Sequence, residues 1–154
     1  MRWSQGRDAI EQMVADGELQ RITASREHAD SLLEQAARHL ASADSVAMRD
    51  PQGGYALLYD AARKSLTAVL ENEGLRATTR GGHLAVYQAV RAQLDPPLGA
   101  VLRPFDRMRR QRNDAEYPAR DVPALTAADV LEDMPKASAI IDLARRVLDE
   151  MSVF

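Results

Sequence analysis

The sequence predicts an all-α protein, folded as an antiparallel up-and-down bundle of four to five helices. Apolar residues recur at helical spacing through most of the chain, and no segment alternates at period two for long enough to predict a strand. The turns between the predicted helices are short, which favours antiparallel neighbours. At 154 residues the chain forms one ordinary domain, and with only 5% aromatic residues its core must be mainly aliphatic.

The first two long helices are predicted on either side of a turn. Residues 26–48 carry a continuous apolar stripe, and Ser25 is placed to cap the helix. Asp50-Pro51 followed by Gly53-Gly54 is typical of a helix end. The second helix is therefore predicted over 55–72, with Gly74 after it.

The second half of the chain predicts three further helical segments. Residues 82–94 form one, which Asp95-Pro96-Pro97 ends, and residues 98–117 form another, which ends before Pro118. Thr126 and Asp129 predict a capping box for the last, in which Pro135 either starts the main helix or kinks it. Residues 1–24 have a weaker pattern and predict a short helix and a connection. The helical domain is thus expected over 25–154.

Composition excludes several functional classes. The net charge of −3 excludes a generally basic nucleic-acid coat, and the absence of cysteine excludes a disulfide scaffold, a zinc ribbon and a thiol nucleophile. No apolar leader is present, and no apolar run approaches the roughly 20 residues that a membrane helix needs. We therefore expect a cytoplasmic protein without a membrane contact. No cofactor or metal is expected, because His28 and His39 lie three helical turns apart without carboxylate support.

Arginines are concentrated near one predicted helix end. Residues 103–112 hold five arginines and one aspartate, a local charge of +4 in an acidic chain. On a helix, Arg109, Arg112, Asn113 and Glu116 share one face, and Tyr117 follows it. A guanidinium beside a carboxamide suits a phosphate or a nucleobase edge. The same residues equally fit a structural role, such as an Arg112–Glu116 salt bridge worth under ~1 kcal/mol or a dimer seam.

Two further features are candidates for a polar site. His83 lies at a predicted helix start, where backbone N–H groups either bind an anion or serve ordinary capping. Tyr55 and Tyr59 lie one turn apart on the second helix and are expected in the core or at its edge, with their hydroxyls hydrogen-bonded.

Three segments together resemble a HEPN domain, the higher eukaryote and prokaryote nucleotide-binding superfamily. They are YALLYDAARK at 55–64, TRGGH at 79–83 and RNDAEYP at 112–118, and the resemblance extends over about residues 25–151. It implies an antiparallel four-helix bundle, often dimeric, in which the arginine motif faces a cleft at the dimer interface. It also implies that Arg63 approaches Arg112 from a facing helix.

The resemblance departs from the family at one position. Active members are metal-independent endoribonucleases with the motif Arg-Asn-x-x-x-His. Arg112 and Asn113 match that motif, but the histidine position holds Tyr117. A histidine exchanges a proton near neutral pH, whereas a tyrosine with an ordinary pKa of about 10 is a poor general base.

Three functions are compatible with these residues. The first is a HEPN-like interaction module, dimeric and non-catalytic, in a toxin–antitoxin or nucleotidyltransferase-paired system. The second is RNA or nucleotide binding through Arg109, Arg112 and Asn113. The third is an atypical endoribonuclease in which Arg112 stabilises the transition state and another group replaces the histidine. The net charge and the missing histidine count against the third. The long bundle faces and the lack of a catalytic triad, a metal set or a glycine loop favour the first. The expected ligand-binding or interface residues are Arg63, His83, Arg109, Arg112, Asn113, Glu116 and Tyr117.

Overall fold

The computed structural model describes residues 3–154, and this part of the chain is mostly helical, as predicted. Its helices are α1 (Arg7–Ala15), α2 (Arg26–Val46), α3 (Pro51–Glu73), α4 (Gly82–Leu94), α5 (Gly99–Leu102), α6 (Pro104–Glu116) and α7 (Ala127–Leu148). Two predicted caps are confirmed. The Ser25 hydroxyl accepts from the His28 N–H at 3.0 Å, and Thr126 and Asp129 form a reciprocal capping box.

The expectation of no strand is wrong. β1 (Leu19–Arg21) pairs antiparallel with β2 (Leu75–Ala77), with Leu19 opposite Ala77. Each strand has only three residues, so neither can show a period-two pattern in the sequence. The pairing depends on the tertiary contact between two connections that lie far apart along the chain.

Two predicted helix boundaries are also wrong. α3 begins at Pro51, so Gly53 and Gly54 lie inside the helix, and the Asp50 carboxylate caps it by accepting from the Gly53 N–H at 3.0 Å. Gly54 lets α2 pack closely on α3, because a Cβ there would lie 3.3 Å from the Ala43 carbonyl oxygen of α2. The helix predicted over 98–117 is divided into α5 and α6, because proline cannot donate its backbone N–H and Pro104 starts a new helix.

α3 is the central helix of the fold, in contact with α2, α4, α6 and α7. Its buried face includes Tyr55, Leu58, Tyr59 and Leu66, all fully buried. α7 also packs on α2, and Pro135 lies within α7 without ending it. Helices from both halves of the chain therefore meet on α3.

Residues 3–24 share this core. Ile10 and Leu19 are buried within the same hydrophobic cluster as the long helices. The Trp3 indole N–H donates to the Gln93 carbonyl oxygen at 3.2 Å, and the Trp3 backbone N–H donates to the Ser152 hydroxyl at 2.9 Å. Trp3 consequently connects α4 to Ser152, near the other end of the chain.

Candidate functional site

Three helices meet at the buried ring of Tyr59. This ring stacks on Phe105 of α6, with centroids 5.4 Å apart, and its hydroxyl lies 2.8 Å from Nδ1 of His83 in the first turn of α4. Burial raises the pKa of Tyr59 to about 12, so the phenol is protonated at neutral pH. The phenol and Nδ1 of His83 share one hydrogen bond, whose direction depends on the tautomer of the His83 ring.

The predicted arginines surround this pair. The Arg112 guanidinium carbon lies 5.8 Å from the centroid of the Tyr59 ring, within cation–π range. The pKa of His83 is lowered, first because part of the ring is desolvated against the protein and then by the charges of Arg63 and Arg112, with Arg109 contributing less. The structure thus brings together residues from α3, α4 and α6. We refer to Arg63, Arg109, Arg112 and His83 as the arginine cluster.

Each arginine of this cluster already has an acidic partner one helical turn away. The ion pairs are Arg63–Asp60 at 3.1 Å, Arg109–Asp106 at 2.9 Å and Arg112–Glu116 at 3.0 Å. The last is the intrahelical salt bridge that the sequence offered as an alternative to ligand recognition. Asp106 also pairs with Arg110 at 3.4 Å, so the three carboxylates serve four arginines and the group keeps a small net positive charge. Partly exposed pairs of this kind contribute under ~1 kcal/mol each.

The end of α6 is open to solvent. Asn113 is exposed, and its side-chain oxygen lies 3.5 Å from an Arg112 nitrogen. Tyr117 follows the last residue of the helix and exposes 79% of its surface. The residue at the histidine position of the resembled motif therefore lies outside the packed cluster, whereas Tyr59 and His83 lie inside it.

A second polar cluster, absent from the sequence prediction, is centred on Asp133 of α7. Its side chain is only 3% exposed. It accepts hydrogen bonds from Arg107 at 2.6 and 3.0 Å, from the Tyr55 hydroxyl at 2.8 Å and from Lys136 at 3.1 Å. Burial by itself would raise the pKa of Asp133, but these hydrogen bonds outweigh it and the pKa is lowered.

The Asp133 cluster joins α3, α6 and α7 and pairs Arg107, whose side chain stays 44% exposed, with a buried carboxylate. One signal in the sequence could have located it. Asp133 lies three residues after Val130 and four before Ala137, both fully buried, so a carboxylate interrupts the apolar stripe of α7. A buried carboxylate requires hydrogen-bond partners, and an arginine on a neighbouring helix is the usual one.

His39 and Lys64 form a further pair that the sequence did not indicate. Lys64 Nζ lies 2.6 Å from His39 Nε2 and 3.1 Å from the Gln35 side-chain oxygen. Burial and then the Lys64 charge lower the pKa of His39. The neutral His39 ring thus accepts a hydrogen bond from Lys64. This contact connects α2 to α3.

Two surface depressions lie beside the C-terminal half of α6. Arg112 and Glu116 line a groove of about 300 Å³ together with Gly53 and Tyr55 of α3. A larger cleft of about 660 Å³ lies between the α2–α3 turn, the end of α6 and residues 118–125. The arginine motif therefore opens onto a surface groove rather than into the core.

Within residues 3–154, no helix has the length and apolar character needed to cross a membrane. The same part of the chain contains no group of three or more histidine or acidic side chains that could hold a metal ion. No model of a known protein family matches the chain, and no curated protein or solved structure matches it either.

Proposed function

We propose that this chain is a HEPN-like helical interaction module that acts as a homodimer and without catalysis. The observation that carries the proposal is the ion pairing of the arginine cluster, in which Arg63, Arg109 and Arg112 each contact a carboxylate of their own helix. A polyanion site would present uncompensated cations, because phosphate contacts dominate nucleic-acid affinity. Paired charges beside an exposed aromatic residue are instead typical of the polar rim of a protein interface.

The bundle that the proposal requires consists of α2, α3, α6 and α7. Support comes from the contacts of α3 with the other three helices and of α2 with α7. The Asp133 cluster adds a polar connection among α3, α6 and α7. In this arrangement α6 has one side on the core, through Phe105 and Met108, and its other side open to a partner.

The proposed dimer face consists of Arg112, Asn113, Glu116 and Tyr117. In a two-fold interface every contact occurs twice: residue i of the first copy contacts residue j of the second, and residue j of the first contacts residue i of the second. Arg112 and Glu116 suit such an exchange, because each is partly exposed and can pair either within its own helix or across the axis. Arginine and tyrosine are also enriched at interfaces.

Sedimentation equilibrium of the full chain tests the dimer. We expect the wild type to sediment as a dimer at tens of micromolar concentration and Asn113→Arg to shift to monomer, because the variant places a second positive charge beside Arg112 in both copies. Gln20→Arg, at an exposed position of β1, is the matched control and should remain dimeric. A monomeric wild type, or equal association by both variants, contradicts the dimer.

The non-catalytic part of the proposal has a separate test. Single-stranded RNA incubated with the wild type in chelator should remain intact, because the exposed Tyr117 replaces the histidine of the resembled motif. Cleavage by the wild type that disappears in Arg112→Ala would overturn this part and support the ribonuclease hypothesis.

A second candidate, RNA or nucleotide binding, is favoured by the convergence of Arg63, Arg109 and Arg112 on His83. Their ion pairs are weak enough for a phosphate to displace the carboxylates. The test is the salt dependence of RNA binding by the wild type and by the double variant Arg109→Ala/Arg112→Ala. Strong binding by the wild type that falls with salt and is lost in the variant supports this candidate, and negligible binding by both removes it.

A further inference from the structure

A surface depression lies beside the proposed dimer face, and none of its lining residues belongs to that face. It has a volume of about 660 Å³. We refer to it as the loop cleft, which lies between Asp50 and Pro51 on one side and Asp114, Pro118 and Leu125 on the other. A volume of this size accommodates several side chains of a peptide.

Part of the lining of the loop cleft is apolar. Pro51, Pro118, Val122 and Leu125 line it, and Val122 is 47% exposed. Met48, next to a residue that lines the cleft, exposes 80% of its surface. Val122 and Met48 are two of the six large apolar side chains exposed within residues 3–154. Exposed apolar surface rimmed by polar residues is typical of a protein-binding site.

The charges around the loop cleft are predominantly negative. Asp50, Asp114 and Asp129 line it, against Arg49 as the one cation among its described lining residues. The Asp50 and Asp129 carboxylates each use one oxygen to cap a helix. Asp114 forms no ion pair within residues 3–154, so its carboxylate is available to a cation from outside.

We propose that the loop cleft binds a short extended segment of a partner protein that carries an arginine or lysine beside an apolar side chain. The cation meets Asp114 and the apolar side chain packs on Val122 and Pro118. The net negative charge of the lining favours a cationic peptide over the phosphates of RNA. The inference rests on the proposed function in one respect, that the chain works by binding proteins, but it uses a different surface from the dimer face.

Selection of random nonapeptides displayed on phage against the immobilised full-length chain tests the proposal, followed by fluorescence anisotropy of the selected peptides. We expect enrichment of arginine or lysine next to an apolar residue. Asp114→Lys should weaken binding by about tenfold or more, because it replaces an attraction by a repulsion. Asp142→Lys is the matched control, with an exposed aspartate on α7 that does not line the cleft, and should bind as the wild type does.

Four results would overturn the proposal: no selected peptide, selection without enrichment of basic residues, equal binding by the two lysine variants, or displacement of the peptide by an oligouridine RNA. Thermal unfolding of both variants verifies that they are folded. Asp114 is exposed, so a variant at this position does not disturb the core. Sedimentation of Asp114→Lys separates the two proposals, because loss of peptide binding by a chain that still dimerises leaves the dimer face intact.

Discussion

Glu73 makes the stability of this fold depend on pH. It is the last residue of α3 and is 1% exposed. One carboxylate oxygen accepts from the Gln93 side-chain N–H at 3.1 Å, and the other has no hydrogen-bond partner within the described residues. Burial raises the pKa of Glu73 from 4.5 to about 8, with the Gln93 hydrogen bond opposing only part of this effect.

The direction of the effect follows from proton binding. Between pH 4.5 and about 8 the folded chain holds a proton on Glu73 that the unfolded chain has released. The free energy of unfolding therefore decreases as pH rises through this window. At about 1.36 kcal/mol per pH unit, the full contribution of this group is of order 5 kcal/mol. That is a large fraction of the roughly 5–15 kcal/mol that stabilises a typical domain.

Urea denaturation of the wild type and of Glu73→Gln at pH 5, 6.5 and 8 measures this contribution. The glutamine keeps the shape and the acceptor for Gln93 but cannot ionise, so the variant should lose much less stability between pH 5 and 8. It should be the more stable protein at pH 8. The control Glu132→Gln, at an exposed position of α7, should show the same pH dependence of stability as the wild type. Parallel pH dependence of the wild type and Glu73→Gln would show that Glu73 is not the source of the effect.

Two further predictions concern the polar clusters. Asp133→Ala should lower the free energy of unfolding by about 1–3 kcal/mol, because it removes the carboxylate shared by the Tyr55 hydroxyl and two partly exposed cations; urea denaturation measures the loss. The His83 ring should titrate below pH 6.5 in a two-dimensional NMR titration, and Arg112→Ala should raise its pKa, because a nearby positive charge is removed.

Matched exposed positions provide the controls for these predictions. Asp142→Ala should change the free energy of unfolding by no more than about 0.5 kcal/mol, since its ion pair with Arg145 is exposed. If Asp142→Ala lowers the free energy of unfolding as much as Asp133→Ala does, the Asp133 cluster contributes no more than an exposed ion pair. Arg145→Ala should leave the His83 titration unchanged, and an equal shift in both arginine variants would rule out a local effect of Arg112.

The sequence predicted the helical class and most helix positions because these depend on local interactions. Periodicity and caps involve residues within about four positions of one another, as with Ser25 and the His28 N–H. The incorrect boundaries occurred at glycines and prolines, because these residues occur at helix ends, at helix starts and within helices. Gly54 occurs inside α3 because α2 packs closely on it, which is a property of the packing and not of the local sequence.

For the candidate site, the sequence by itself located the arginines, the histidine and the tyrosines, and it identified Arg112–Glu116 as a pair. The tertiary structure decided how they combine. The Tyr59–His83 contact joins residues 24 positions apart, and Tyr55–Asp133 joins residues 78 positions apart. Neither separation leaves a periodic signal. Burial also decided which carboxylates are available, because it encloses Asp133 among its hydrogen-bond donors and leaves Asp114 exposed. Side-chain chemistry is thus encoded locally, whereas the pKa values and the partners of these groups depend on how the helices exclude water.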